Sequence, residues 1–380
     1  MFWSYCRLRK SQCVRLILIC QVLSLIMVCW DKSVFNHLKS YSCRFLVDCF
    51  RDVNKSLTIT REQARSFSNF RSLLDHPDKC AGKDVLLLVF VKTSPGNRAR
   101  RDAIRSTWGS ETYIQRTLGV TVKVVFALGA PAMDEILPFN ADAVQRQLVQ
   151  ENSRHADLIQ QDFTDSFHNL TLKLIMQFHW MHRCCAHARF LMITDDDVFI
   201  HMPNLVGYLR DKSTLGATGF WVGRVHWGAP PIRSKNSKYY VSLEMYQWRS
   251  YPDYTAGGGY VISGDVAGKI YQATLTLNAS LYIDDVFMGI CAMAVGVSPQ
   301  AHMYFSGEGK APRHLCIYDR MMTSHGHTED LHDLWKAATH PHVKEKASGI
   351  LGRLYCTATK ISLLCNPLAF NGYPCTAAFY

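Results

Sequence analysis

No part of this sequence repeats another, and no tract is of low complexity. That excludes solenoids, propellers and linker-like chains that bury no core. Acidic excess is also missing: Lys and Arg number 42 against 31 Asp and Glu, a net charge of +11. Such a balance permits contact with anionic surfaces or substrates without choosing between them; no nucleic-acid partner is expected. A small-residue cleavage site is absent after the apolar run LILICQVLSLIMVCW, which ends in Cys29-Trp30-Asp31-Lys32. This argues against a cleaved signal peptide. Arg7, Arg9, Lys10 and Arg15 precede the run and by the positive-inside rule keep the N-terminus in the cytosol. The expectation is a cytosolic tail over 1–13, a signal anchor over 14–30 and a lumenal remainder. A span this short suits a thinner membrane of the early secretory pathway.

What is present agrees with a lumenal chain. Of 14 cysteines, four (Cys6, Cys13, Cys20, Cys29) fall in the tail or the span, leaving an even set where disulfides form. Their pairing is unreadable from spacing, with Cys291 to Cys316 the one pairing entertained. Three glycosylation sequons begin at Asn54, Asn169 and Asn278. Apolar residues at 48% and aromatics at 12% describe a folded protein.

Residues 31–80 are polar and aperiodic and read as a stem. From Asp84 the texture changes. DVLLLVFVKT, TVKVVFALG and ARFLMIT are strand-length apolar runs without alternation. They are separated by helical patterns, which predicts an α/β domain with a mostly parallel sheet. In RARRDAIRSTWG, Arg101, Ile104, Arg105 and Trp108 share one helical face. LTLKLIMQFHWMHRC and IDDVFMGICAMAVG read as further helices, GFWVGRV and GGYVIS as strands. The catalytic domain is expected over 81–345. The tail over 346–380 is apolar and holds three cysteines; it is expected to be a disulfide-pinned core segment, with help in reaching a membrane-borne acceptor as the alternative.

Asp195, Asp196 and Asp197 stand together where the third apolar run ends. One carboxylate suffices to cap a turn, and three like charges call for a cation. A hard divalent ion bridging to a phosphate meets that demand. In extended chain Asp195 and Asp197 share a face and Asp196 looks away. Sheets of this type gather ligands at their carboxyl ends, where Lys92 and the helix bearing Arg101 and Arg105 are expected to meet a diphosphate. Asp284 and Asp285 open a helix; one carboxylate can cap it while the other serves as a general base. His325 and His327 lie late in the chain, His325 as a candidate metal ligand. Trp248, Tyr251 and Tyr254 offer flat faces to a sugar or to the core. An Asp-dependent phosphohydrolase needs a nucleophilic Asp after the first strand, and DVLLLVFVKTSPG has none. A calcium-binding lectin would not need the basic helix.

The ordered set VFVKT, RRDAIRSTWG, FALG, QQDFTDSFHNLTLK, FLMITDDDVFIHMPNL, WVGRVH, YPDYTAGGGYVIS and IDDVFMGICA resembles glycosyltransferase family 31, the β1,3-N-acetylglucosaminyl- and β1,3-galactosyltransferases, from about residue 84 to about 330. The resemblance implies a GT-A type nucleotide-sugar-binding fold behind a transmembrane helix and stem, anchored in the Golgi membrane with the catalytic domain lumenal. It implies Mn²⁺ held by Asp197 with Asp195 and His325, and nucleotide-sugar contacts from Asp195 and Asp196. It also implies a catalytic base at Asp285 and acceptor contacts at Asp284, which stands where the family usually has Glu; Trp248 and Tyr254 are the acceptor-binding candidates by their flat faces, with the core as the alternative. UDP-GlcNAc is the expected donor. GRVHWGAPPIRSKNSKYYVSLEMYQW and FSGEGK look nearest to members using a lactosylceramide-type glycolipid acceptor. A β1,3-galactosyltransferase, or an N-acetylglucosaminyltransferase acting on glycoprotein polylactosamine, remains the alternative.

Overall fold

The structure, a computed structural model, describes residues 70–132, 139–277, 281–366 and 372–380, together with Ile19 and Gln21. Apart from Ile19 and Gln21, the expected anchor over 14–30 lies outside the described residues, as do the sequons at Asn54 and Asn278. No helix among those described is long and apolar enough to cross a membrane.

One eight-stranded sheet organises the chain, in the order β1-β4-β3-β2-β5-β8-β7-β9. The strands are β1 (Ser72–Leu74), β2 (Val85–Lys92), β3 (Thr121–Ala130), β4 (Leu158–Thr164), β5 (Phe190–Asp195), β7 (Trp221–His226), β8 (Tyr254–Ser263) and β9 (Gln300–Ala301). The four central strands, β4, β3, β2 and β5, are mutually parallel. β8 runs antiparallel to both β5 and β7. β2 is buried along its whole length, as an apolar run without alternation requires when both faces are covered. Leu88 and Phe90 pack with Leu174 and Phe178 of helix α3 (Leu170–Cys184), Ile270 of α5 (Gly264–Thr274) and Phe287 of α6 (Asp284–Ala294). Leu87, Val89 and Val91 face the other way, onto Ile104 of α1 (Arg98–Ser106) and Leu205 of α4 (Met202–Thr214). Helix α2 (Phe139–His155) leads into β4.

Chain order reverses between β2 and β5: β3 and β4 extend the sheet to one side and β5 returns to the other. In doubly wound sheets the ligand crevice opens at such a switch point. Lys92 and Asp195, the last residues of β2 and β5, are register partners there.

Both ends of the domain carry covalent ties. β1 pairs with β4 and Cys80 is bonded to Cys185, so sheet structure starts ahead of residue 81. The tail is built in: helix α9 (Gly349–Leu364) is tied by Cys316–Cys356, and Cys365–Cys375 follows. Tyr373 donates its hydroxyl to the Thr323 carbonyl at 2.6 Å. The entertained Cys291–Cys316 bond does not form. Cys291 is sealed within α6 as a free thiol, because the tail brings Cys356 to Cys316 first.

Candidate active site

Lys92 is the hub of the crevice. Its Nζ lies 2.7 Å from Asp284 Oδ2 and 3.1 Å from Asp195 Oδ1. Burial alone would strip the proton from this ammonium, but Asp195 and Asp284 outweigh it and hold the pKa well above the ordinary lysine value. The strand facing them is β8, with its run Gly257-Gly258-Gly259. A Cβ on Gly257 would stand 3.6 Å from Lys92 Nζ, 3.8 Å from Asp285 Oδ2 and 3.9 Å from Asp195 Oδ2. Three charged groups from three elements therefore converge over one bare backbone position. Gly259 holds φ at +134°, a conformation closed to side-chain-bearing residues.

Asp195 ends β5 and Asp197 lies in the turn that follows, yet their carboxylates come together. A small two-stranded sheet brings the third member. β6 (Phe199–Ile200) pairs with β10 (Thr323–Ser324), which sets His325 beside Asp197, Nε2 to Oδ1 at 3.4 Å. Donor atoms of Asp195, Asp197 and His325 all fall within 4.8 Å of one another. Asp197 Oδ1 is buried and makes no well-aligned hydrogen bond beyond that 3.4 Å approach of His325. A buried carboxylate oxygen so weakly met costs free energy unless something positive meets it. Two carboxylates and an imidazole suit a divalent cation of the manganese kind, so these residues fit the expected metal.

The next carboxylate pair divides its work. Asp284 is buried and given over to Lys92. Asp285 accepts the Val286 amide at Oδ1. Burial and the neighbouring Asp284 push its carboxyl up to about 7, against the opposing pull of Lys92. This carboxyl is poised to exchange a proton near neutral pH. Helix α6 carries it close to β8: a Cβ on Gly289 would sit 2.7 Å from Tyr254 Cβ.

The other expected residues meet different outcomes. Arg101 and Arg105 do not reach the crevice. Arg101 is fully buried, paired with Glu151 and donating to the Ser94 and Pro95 carbonyls; Arg105 pairs with Glu151 and Asp157. Their shared helical face points inward, because Glu151 on α2 supplies the counter-charge. Asp196 turns away from Asp195 and binds the loop after β2. It accepts from Thr93 Oγ1 at 2.5 Å, Asn97 Nδ2 at 2.9 Å and Arg100 Nη1 at 2.8 Å. Asp284 likewise belongs to Lys92 rather than to an open acceptor rim. Trp248 is half-buried against the core layer under α3. Tyr254 stacks on His226, ring centroids 5.0 Å apart; burial and then Asp285 raise its hydroxyl pKa well above the ordinary value. Asn169, half-buried, donates from its amide to the Thr164 carbonyl.

Sequence reasoning missed the groups that hold the site still. Lys173 donates to the Thr93 carbonyl and pairs with Asp165, fastening the end of β2. His327 bridges Ser324 Oγ at 2.7 Å and Asp330 Oδ1 at 3.0 Å, while its amide donates to the Asp197 carbonyl. Ser324 and His327 are buried and Asp330 half-buried, and the array serves as a brace. The QQDFTDSFHNLTLK and TSHGHTED stretches held these residues, but nothing local reveals partners so remote in sequence.

A family model described as Galactosyltransferase matches residues 99–303, the span that carries every residue of the crevice except Lys92 and His325. The chain belongs to the Galactosyltransferase family. Curated relatives resemble it from end to end. A Danio rerio lactosylceramide 1,3-N-acetyl-beta-D-glucosaminyltransferase A is 58% identical, covering 100% of both chains. The Homo sapiens and Xenopus tropicalis proteins of that name are 53% and 55% identical, each over 98% of both chains. A solved bifunctional glycosyltransferase gives a TM-score of 0.27 at 10% identity over 55% of this chain and 37% of its own, a likeness too slight to assign a fold.

Proposed function

We propose that this chain transfers GlcNAc from UDP-GlcNAc, in β1,3 linkage and with inversion, to the terminal galactose of lactosylceramide-type glycolipids. The supporting observation is that a proton-ready carboxylate, Asp285, faces the same bare floor at Gly257 as the Asp195–Asp197–His325 cluster. A base and a leaving-group seat are the two parts that a single displacement requires. Relatives of matching length bear the name of that activity.

In this reading Asp285 Oδ2 takes the proton from the acceptor's 3-hydroxyl. That oxygen forms its bond to C1 of the donor sugar as the bond from C1 to the phosphate oxygen breaks. The electron pair leaves with UDP, through an oxocarbenium-like transition state. Asp195, Asp197 and His325 would hold Mn²⁺, which when bound neutralises charge on the departing diphosphate. Lys92 pairs with Asp284 and adds positive charge beside Asp195. Tyr254 and His226 form a flat wall for the acceptor ring. The GT-A type of fold, an N-terminal anchor and a type II orientation in the Golgi membrane complete the proposal.

Purified full-length chain, given UDP-GlcNAc and UDP-Gal with lactosylceramide, is expected to use the first donor and to need a divalent metal. Asp285→Asn is expected to lose roughly 10²- to 10⁴-fold in turnover while retaining UDP binding. Preferential transfer of galactose, or normal turnover by Asp285→Asn, would overturn the assignment.

A further inference from the structure

Helix α9 is amphipathic in an unusual sense. Cys356, Lys360 and Leu364, at i, i+4 and i+8, turn inward. The outward face carries Ile350, Leu351, Leu354 and Tyr355, exposed by 79, 82, 64 and 54% respectively. An outward helix face in water is ordinarily polar. Four large apolar side chains at i, i+1, i+4 and i+5 make a contiguous patch of the kind that marks a contact surface. Basic residues surround it: Arg353 is exposed on the same turn, and Lys344 and Lys346 on helix α8 (His342–Ala347), with Glu345 the acidic residue among them. Gly352 packs against the Lys346 carbonyl, which joins the two helices at this point. On the far side of α8 a cavity of about 420 Å³ is walled by Leu315, Tyr318 and Val343, with Lys336, His340 and Lys346 at its mouth.

We propose that this face of α9, with its basic rim, docks on the surface of a lipid bilayer containing anionic phospholipid and presents the active site to acceptors held in that bilayer. Apolar side chains flanked by Lys and Arg are what an interfacial helix needs to sit at the headgroup boundary. The inference deepens the glycolipid reading and rests on it. The coupling to the site is covalent and short. Cys316–Cys356 ties α9 to the segment beginning near residue 310, and Ala311 in that segment donates to Ser324 Oγ, next to His325. Lys310 and Arg313 pair with Asp330, the partner of His327. Docking of α9 therefore fixes the orientation of the crevice toward the lipid, which a tether at residues 14–30 by itself would not do.

Full-length chain is reconstituted into phosphatidylcholine vesicles with and without phosphatidylserine, and turnover is measured on an embedded lactose-terminated glycolipid and on free lactose. The Ile350→Ser/Leu351→Ser/Leu354→Ser variant is expected to lose at least tenfold on the embedded acceptor and nothing on free lactose. Lys344→Glu/Lys346→Glu is expected to abolish the gain from phosphatidylserine. Tryptophan fluorescence of Leu354→Trp, above that of the unsubstituted chain, is expected to be quenched by brominated lipid. Equal losses on both acceptors, no loss on either, absent quenching, or a change of oligomeric state in the serine variant would each overturn docking. Leu354→Trp chain whose added signal is quenched, with neither it nor the unsubstituted chain transferring to either acceptor, would overturn the glycolipid reading instead.

Discussion

Asp284 and Asp285 are adjacent in the chain and opposite in electrostatic surroundings. Asp284 has an ammonium at 2.7 Å, whereas Asp285 has burial and a neighbouring anion that lift its carboxyl to about 7. A base acts only when ionised, so protons below that value silence it. The acid limb of kcat/KM is expected to fall about tenfold per pH unit below roughly 7. Lys92 opposes the rise at Asp285, so Lys92→Met is expected to move that limb to higher pH. A pH–rate profile of both proteins checks the sign; a limb that stays in place would separate Lys92 from the base. The pair of acidic residues was legible from sequence, and so was the triple Asp. Arg100, Thr93 and Asn97 were not, because their common target Asp196 is about a hundred residues away.

Helix α1 shows how a pattern can be right while its meaning is wrong. The i, i+3, i+4, i+7 face of Arg101, Ile104, Arg105 and Trp108 exists, but it is the buried face. Periodicity identifies a shared side of a helix and is silent on whether a charge there meets solvent, ligand or a buried partner. Here the partner is Glu151 of α2, 1% exposed, and Arg101 also clasps the Ser94 and Pro95 carbonyls of the loop that meets Asp196. Breaking a buried pair strands its other charge. Glu151→Gln is therefore expected to cost about 3–5 kcal/mol, read as a lower denaturation midpoint. Burial opposes ionisation of Glu151, but Arg101 and then Arg105 hold its carboxyl below the ordinary value. Its contribution to stability is thus full above the unfolded carboxyl pKa and fades as pH falls through the folded one. Strand runs at β2, β3 and β5 were readable because both faces are covered; the short β6–β10 pair that delivers His325 was not, since two residues carry no period.

At the scale of the molecule, three disulfides among the described residues close loops of very different length, 105, 40 and 10 residues in separation. Chain-entropy arguments give the longest about 4.7 kcal/mol and the shortest about 2.7 kcal/mol. Cys80→Ser/Cys185→Ser is expected to lower unfolding free energy more than Cys365→Ser/Cys375→Ser does, in chemical denaturation of each. Pairings across such separations are settled by where the sheet and tail place each thiol, which is why spacing alone did not disclose them. Between Cys80 and Cys185 lie β2, β3, β4 and the helices α1, α2 and α3, so the first bond fastens the two ends of the parallel half to each other. Asp195, Asp284 and Asp285 all come later in the chain, and each is set on a wall whose two ends are covalently held.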